Sequence, residues 1–240
     1  MKKINLTAEQ KKTRKRIIEL SYQSSFSHIG SCLTAVDIID AIYQVKDKDE
    51  HFVLSSGHAG IALYVILEKN NIIDSSVLKE LHLHPDRNID LGIEVSSGSL
   101  GQGLPIAVGM ALANRKKRVF CVVSDGECAE GSIWESFRVI YENKLSNLIT
   151  IVNANGWGAC DPISSPLLLN RIKGFGFKVK KIDGLNTDKI SAAIDSVNKK
   201  HPSVIFAQTT VEQFPFLKGQ DAHYYVMNEN DYKLAMGILK

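Results

Sequence analysis

The chain has 240 residues, 44% hydrophobic and 23% charged, and its 29 Lys and Arg outnumber its 26 Asp and Glu for a formal net charge of +3. That is enough chain for one globular domain with a sizeable core, and the composition excludes a low-complexity or disordered protein. So small a positive excess argues against a nucleic-acid or membrane partner, and no segment approaches the length of a membrane span.

Cys32, Cys121, Cys128 and Cys160 show neither CxxC nor finger spacing. The expectation is a reducing cytoplasm with no disulfide framework. The basic start, MKKINLTAEQKKTRKR, lacks the apolar core of a secretion signal and reads as a solvated helix start. Thr7-Ala-Glu-Gln10 has the form of a capping box. The helix it opens, 8–23, buries Ile17, Ile18, Leu20 and either Ser21 or Tyr22.

Helix 35–45, a short strand 52–55 and helices 58–69, 75–83 and 101–116 follow. Two runs, 118–123 (RVFCVV) and 148–152 (LITIV), are short, β-branched and unbroken, as suits strands buried on both faces of a parallel sheet. Between them, Ile133, Trp134, Phe137, Ile140 and Tyr141 recur at helical spacing over 133–144. Helix 164–174, strand 177–182, helix 187–199, strand 203–209 and helix 230–239 complete the chain. The alternation predicts an α/β fold, a single doubly wound and mostly parallel sheet with helices on both faces, spanning 1–240 as one domain.

The strand–helix–strand unit places two polar turns at the carboxyl ends of neighbouring strands, where open α/β sheets bind ligands. Asp125 offers a carboxylate, Asn155 an amide oxygen, and the Gly156-Trp157 turn main-chain carbonyls. Hard oxygen donors of low total charge suit Mg²⁺ or Ca²⁺, with water or phosphate completing the shell. Gly126 lets a diphosphate approach backbone N–H groups. The alternative is two ordinary surface turns, because Asp-Gly and Asn-Gly are common turn dipeptides.

Two further stretches point the same way. His58 follows a strand and Ser56-Gly57 at a predicted helix N-terminus, a place that favours anions, and imidazole can donate to phosphate or relay protons. Gly98, Gly101 and Gly103 form a turn before a small-residue helix. That turn is not GxGxxG, so a nicotinamide-dinucleotide site is not expected. His82 is read as exposed helix, and His51 and His201 as solvent-facing.

The stretches SSGSLGQGLPIAVGMALA, SDGECAEGSIWES and VNANGWG together resemble the N-terminal, diphosphate-binding domain of the transketolase family. FVLSSGHAGIALY, SHIGS and LHPD are similar to further family stretches, in family order from about Ser27 to Asp161, with a weaker tail to about His223. The resemblance implies thiamine diphosphate and a divalent metal held by Asp125, Asn155 and the Trp157 carbonyl. His58 and the Gly126 backbone would contact the diphosphate, with Glu127 beside them. Gly98, Ser99 and Leu100 would face the aminopyrimidine. His28, His58, His84 and His223 would line the substrate channel as catalytic residues, His223 also touching the cofactor. Glu130 and Glu135 resemble interface acids that join a proton network between active sites.

Ser124 stands where the family has a first Gly, Ala159 or Cys160 where it has a β-branched apolar residue, and Tyr224 where it has Gly. The pyrimidine and C-terminal domains have no counterpart here, and with them the glutamate that protonates the aminopyrimidine. The resemblance therefore implies the first of the two chains of a split transketolase. It would transfer a two-carbon ketol unit from a ketose to an aldose, as sugars or sugar phosphates, in a dimer of heterodimers with a partner chain. The alternative is a non-catalytic relative that keeps the fold.

Overall fold

The computed structural model describes residues 4–197 and 200–240. Among them, five strands form one all-parallel sheet in the order β1 (His51–Leu54), β2 (Val119–Ser124), β3 (Leu148–Ala154), β5 (Ser203–Gln208) and β4 (Lys178–Asp183). The helices are α1 (Ala8–Gln23), α2 (Ile29–Val45), α3 (Gly60–Lys69), α4 (Gly103–Ala113), α5 (Gly131–Glu142), α6 (Ser165–Gly174), α7 (Thr187–Asp195) and α8 (Glu229–Ile238).

The two-residue period of the strands sorts side chains onto opposite faces. Phe120, Val122, Ile149, Ile151, Ile205 and Ala207 pack with α1, α2, α3, α7 and α8. Cys121, Val123, Leu148, Val152, Val204 and Phe206 pack with α4, α5 and α6. Both faces are covered, which is why β2 and β3 are buried throughout their length and read as unbroken apolar runs. The edge strand β4 differs: Lys178, Lys180 and Lys181 are exposed. Lysines on an edge discourage pairing with another sheet.

The Thr7–Gln10 capping box forms, with Gln10 N donating to Thr7 Oγ1 over 3.2 Å and Thr7 N to Gln10 Oε1 over 3.0 Å. Ile17, Ile18, Leu20 and Ser21 are buried, while Tyr22 stacks on Tyr232 with ring centroids 4.5 Å apart.

Several expected bounds shift. Helix α2 starts at Ile29, well before the expected residue 35, because 29–34 are buried on every side. The expected helix 75–83 reduces to a single 3₁₀ turn, Val77–Lys79. Asp74 Oδ1 accepts from Ser76 N at 2.9 Å and Ser76 Oγ at 2.7 Å, a local bond that competes with helix. His82 is therefore placed on irregular chain rather than on a helix. His51 is only partly exposed, and its Nδ1 lies 2.5 Å from Glu94 Oε2. A 3₁₀ turn, Gly57–Ala59, precedes α3. Helix α4 is shorter than 101–116 because Gly101 is tied into the preceding turn through its N–H to Glu127 and its C=O from Ser132. Helix α7 ends at Asp195, and residues 198 and 199 of the expected 187–199 lie outside the described residues.

One polar contact in the core positions the segment after β5. Arg14 is fully buried and donates to both oxygens of Asp37, at 3.0 and 2.6 Å, and through Nε to Gln213 Oε1 at 2.8 Å. Gln213 in turn donates to the Leu33 carbonyl at 3.0 Å. Arg14→Met leaves Asp37 as an uncompensated buried charge, so unfolding in urea should show a loss of about 3–5 kcal/mol. A loss below about 1 kcal/mol, the value of an exposed pair, would contradict that account.

Candidate active site

Neighbouring parallel strands deliver their following turns to one end of the sheet. β1 leads into Ser55-Ser56-Gly57-His58, β2 into Asp125-Gly126-Glu127 and β3 into Asn155-Gly156-Trp157. Asp125 sews the last two together. Its Oδ1 accepts from Gly126 N at 3.0 Å, and its Oδ2 reaches across to accept from Gly156 N at 2.6 Å. The residue is 1% exposed. Burial pushes this carboxyl up to about 7, against the lowering effect of the Gly156 and Gly126 amides.

Gly126 has a packing role. A Cβ there would lie 2.9 Å from Gly158 Cα, so glycine is what lets the two turns touch. Asn155 folds back, its Oδ1 accepting from Trp157 N at 2.9 Å. The Gly156 carbonyl, expected to be exposed, accepts from Ile163 N at 2.8 Å and is taken. Ser124 carries a φ outside the positive region, and its Oγ accepts from Glu127 N at 3.1 Å.

Above these turns stands a cluster of histidines. His28 lies 4.7 Å from His223, 5.7 Å from His58 and 6.0 Å from His84, and His58 lies 5.2 Å from His223, all between ring centroids. They come from four separate stretches: the residue before α2, the 57–59 turn, the loop at Pro85, and the 3₁₀ turn Gly219–His223. That last turn is fastened by Gln220 Nε2 donating to the Ala159 carbonyl at 3.1 Å. Burial, then the charges of His223, His28 and His84, lowers His58 to about 3. Burial, then His223 and His84, lowers His28 to about 4, and burial lowers His223. Neutral imidazoles with one donor and one acceptor face the cleft, not the cations that a phosphate site first suggests.

The chain matches the family model described as the transketolase thiamine diphosphate binding domain over residues 27–236. It belongs to the transketolase family. One of the two named chains of an apulose-4-phosphate transketolase from Phocaeicola vulgatus is 32% identical, over 85% of this chain and 82% of that protein. A 6-deoxy-6-sulfo-D-fructose transketolase subunit from a Clostridium species is 30% identical, over 99% of this chain and 97% of that protein. The transketolase structure from Campylobacter jejuni superposes with a TM-score of 0.85 at 25% identity, and this chain spans 43% of its length.

The structure brings most of the expected transketolase residues to one cavity. His58, Leu100, Glu127, Asn155, Trp157 and His223 line it, with Gly126 at its wall. Gly98 sits apart, with a φ of +145° and His84 so close that a Cβ would meet its ring at 2.7 Å. His84 is exposed, and Glu130 and Glu135 lie exposed on and before α5. Glu135 pairs with Arg138 at 3.1 Å. Ser31 and Ala159 also line the cavity. Tyr224 rises on its rim, 58% exposed with its ring 5.5 Å from His28. Ser31 carried no signal in the sequence, since a serine inside a helix has no motif of its own.

Among the described residues no group of three or more His, Cys, Asp or Glu could hold a metal. The oxygens at hand are those of Asp125, Asn155 and the Trp157 carbonyl, near which Gly126 lies. One acid and two neutral oxygens fit Mg²⁺ or Ca²⁺ bound jointly with a diphosphate. A cation would also compensate the buried Asp125 charge.

Two outcomes follow. Asp125→Ala should abolish Mg²⁺-dependent binding of thiamine diphosphate in calorimetry. It removes the acceptor of two amides, so a stability loss of about 1–3 kcal/mol accompanies it without unfolding. Unchanged affinity would refute the metal assignment. The histidines bind fewer protons folded than unfolded, so they cost stability as pH falls below 6.5, whereas Asp125, raised from 3.8 to about 7, has the opposite sign over that window. His58→Gln removes the lowering from 6.5 to about 3, so its melting temperature should drop less than the parent's on acidification from pH 7 toward 5. Parallel curves would refute the neutral His58.

Proposed function

We propose that this chain is the cofactor-binding half of a two-chain transketolase, moving a two-carbon ketol unit from a ketose to an aldose. The observation that carries the reading is the pair of turns joined through Asp125 beneath the histidine cluster. Relatives named as transketolase subunits match along 82% and 97% of their own lengths, which supports the division into two chains.

In this reading Asp125, Asn155 and the Trp157 carbonyl hold Mg²⁺ or Ca²⁺, and His58, Gly126 and Glu127 flank the diphosphate. Gly98, Ser99 and Leu100 meet the aminopyrimidine. Thiamine diphosphate supplies the nucleophilic carbon that carries the ketol unit. The chain itself orients hydroxyls and moves protons. Neutral His28, His58, His84 and His223 accept a proton from one sugar hydroxyl and return it to another, roles suited to an imidazole. A diphosphate arriving beside His58 would raise its proton affinity, because an opposite charge favours the cation.

The names of the two relatives point to ketoses with an anionic group, a phosphate or a sulfonate. The residues lining this cavity include no Lys or Arg. The anionic end of such a substrate is therefore read by the partner. The partner contributes the pyrimidine and C-terminal domains, Glu130 and Glu135 lie at its interface, and the assembly is a cytoplasmic dimer of heterodimers.

The test is co-expression with the adjacent gene's product, followed by a screen of ketose donors and aldose acceptors. A stable complex should form, with transfer that needs thiamine diphosphate and Mg²⁺ and is undetectable with either chain alone. Turnover by this chain by itself would overturn the split-site reading.

A further inference from the structure

Glu127 is a fully buried acid at the cofactor cavity, 0% exposed. Its Oε1 accepts two bonds, from Ser55 Oγ at 2.6 Å and from Gly101 N at 2.8 Å. Its Oε2 is buried and has no partner among the described residues. Ser55 stands at the end of β1, with its own N–H on Val122 O at 2.9 Å. One oxygen thus joins the ends of β1 and β2 to the turn before α4. A bare buried carboxyl oxygen is costly, and such groups concentrate where a site is built.

The bond to Gly101 has a directional consequence. A trans peptide is planar, with its C=O opposed to its N–H. Holding the Gly101 N–H against Glu127 therefore turns the Leu100 carbonyl to the other side. Leu100 lines the same cavity. The far edge of Gly101 is fixed as well, since Ser132 Oγ donates to its carbonyl at 2.7 Å.

We propose that Glu127 is a positioning residue that sets the Leu100–Gly101 peptide so that the Leu100 carbonyl meets an N–H donor on the ring of the bound cofactor, an aminopyrimidine amine. This rests on the thiamine-diphosphate reading above and adds a division of labour. Asp125 serves the diphosphate end, and Glu127 serves the ring end through the backbone.

The division is tested on the full chain with Mg²⁺ and two probes, thiamine diphosphate and inorganic pyrophosphate, in calorimetry with melting curves alongside. Glu127→Ala should weaken thiamine diphosphate by about tenfold or more, the value of a lost or misdirected hydrogen bond, and leave pyrophosphate within about twofold. Glu127→Gln should recover most of the loss, because its amide oxygen can accept the same two bonds. An equal loss for both probes would assign Glu127 a general structural role and overturn the proposal, as would unchanged thiamine-diphosphate affinity in Glu127→Ala. If the parent chain binds neither probe, the cofactor reading itself falls, and this inference with it.

Discussion

The hydrogen bond from Gly156 N to Asp125 Oδ2 is the contact on which the site depends. It crosses between the turns of two adjacent strands, so it exists only because β2 and β3 pair in parallel with Ser124 opposite Asn153. A register slip of one residue would turn Asp125 to the other face of the sheet. The acceptor of that bond is a buried acid, and its removal from water is why its affinity for a proton is raised. The two faces of the sheet supply the rigidity that keeps such an acid buried.

The histidine cluster depends on a second buried charge. His223 is delivered by a segment that follows β5 and runs back over α2, and Gln213 within that segment is held by Arg14 and by the Leu33 carbonyl. Arg14 is in α1 and Asp37 in α2, so one guanidinium orders elements far apart in the chain. A polar group of this kind contributes little net stability compared with an apolar replacement, but it directs chain placement. His28 sits at φ 64°, a left-handed conformation at the head of helix α2 that brings its ring to His223.

The sheet and most cavity residues were legible in the sequence because they rest on short-range physics. Unbroken β-branched runs mark strands buried on both faces, and a helical stripe such as Ile133, Phe137 and Ile140 marks α5. Asp125, Gly126 and Asn155 were legible because their chemistry is unusual at strand ends. What was not legible is set by tertiary contacts. The loss of helix at 75–83 comes from a serine–aspartate turn, and the early start of α2 comes from burial on all sides. The neutrality of His58 is a consequence of packing, which no spacing encodes. The Gly156 carbonyl shows the same limit, since its donor, the Ile163 N–H, is brought back to it by a return of the chain seen only in the fold.

Helix α4 shows why the proposed site belongs to an assembly. It buries Leu104, Ala107, Val108 and Ala111 against the sheet, and still exposes Ile106 and Leu112, at 41% and 40%. A helix apolar on both sides ordinarily lies between two partners. The sheet is one of them. The open side adjoins α5, at whose start the exposed acids Glu130 and Glu135 stand, and the turn held by Glu127 and Ser132 leads directly into α4. Under the proposed function, covering this side would exclude water from the ring end of the cavity as well as burying the helix. Assembly and cofactor placement would then act on one turn, Gly98 to Gly103, from opposite sides.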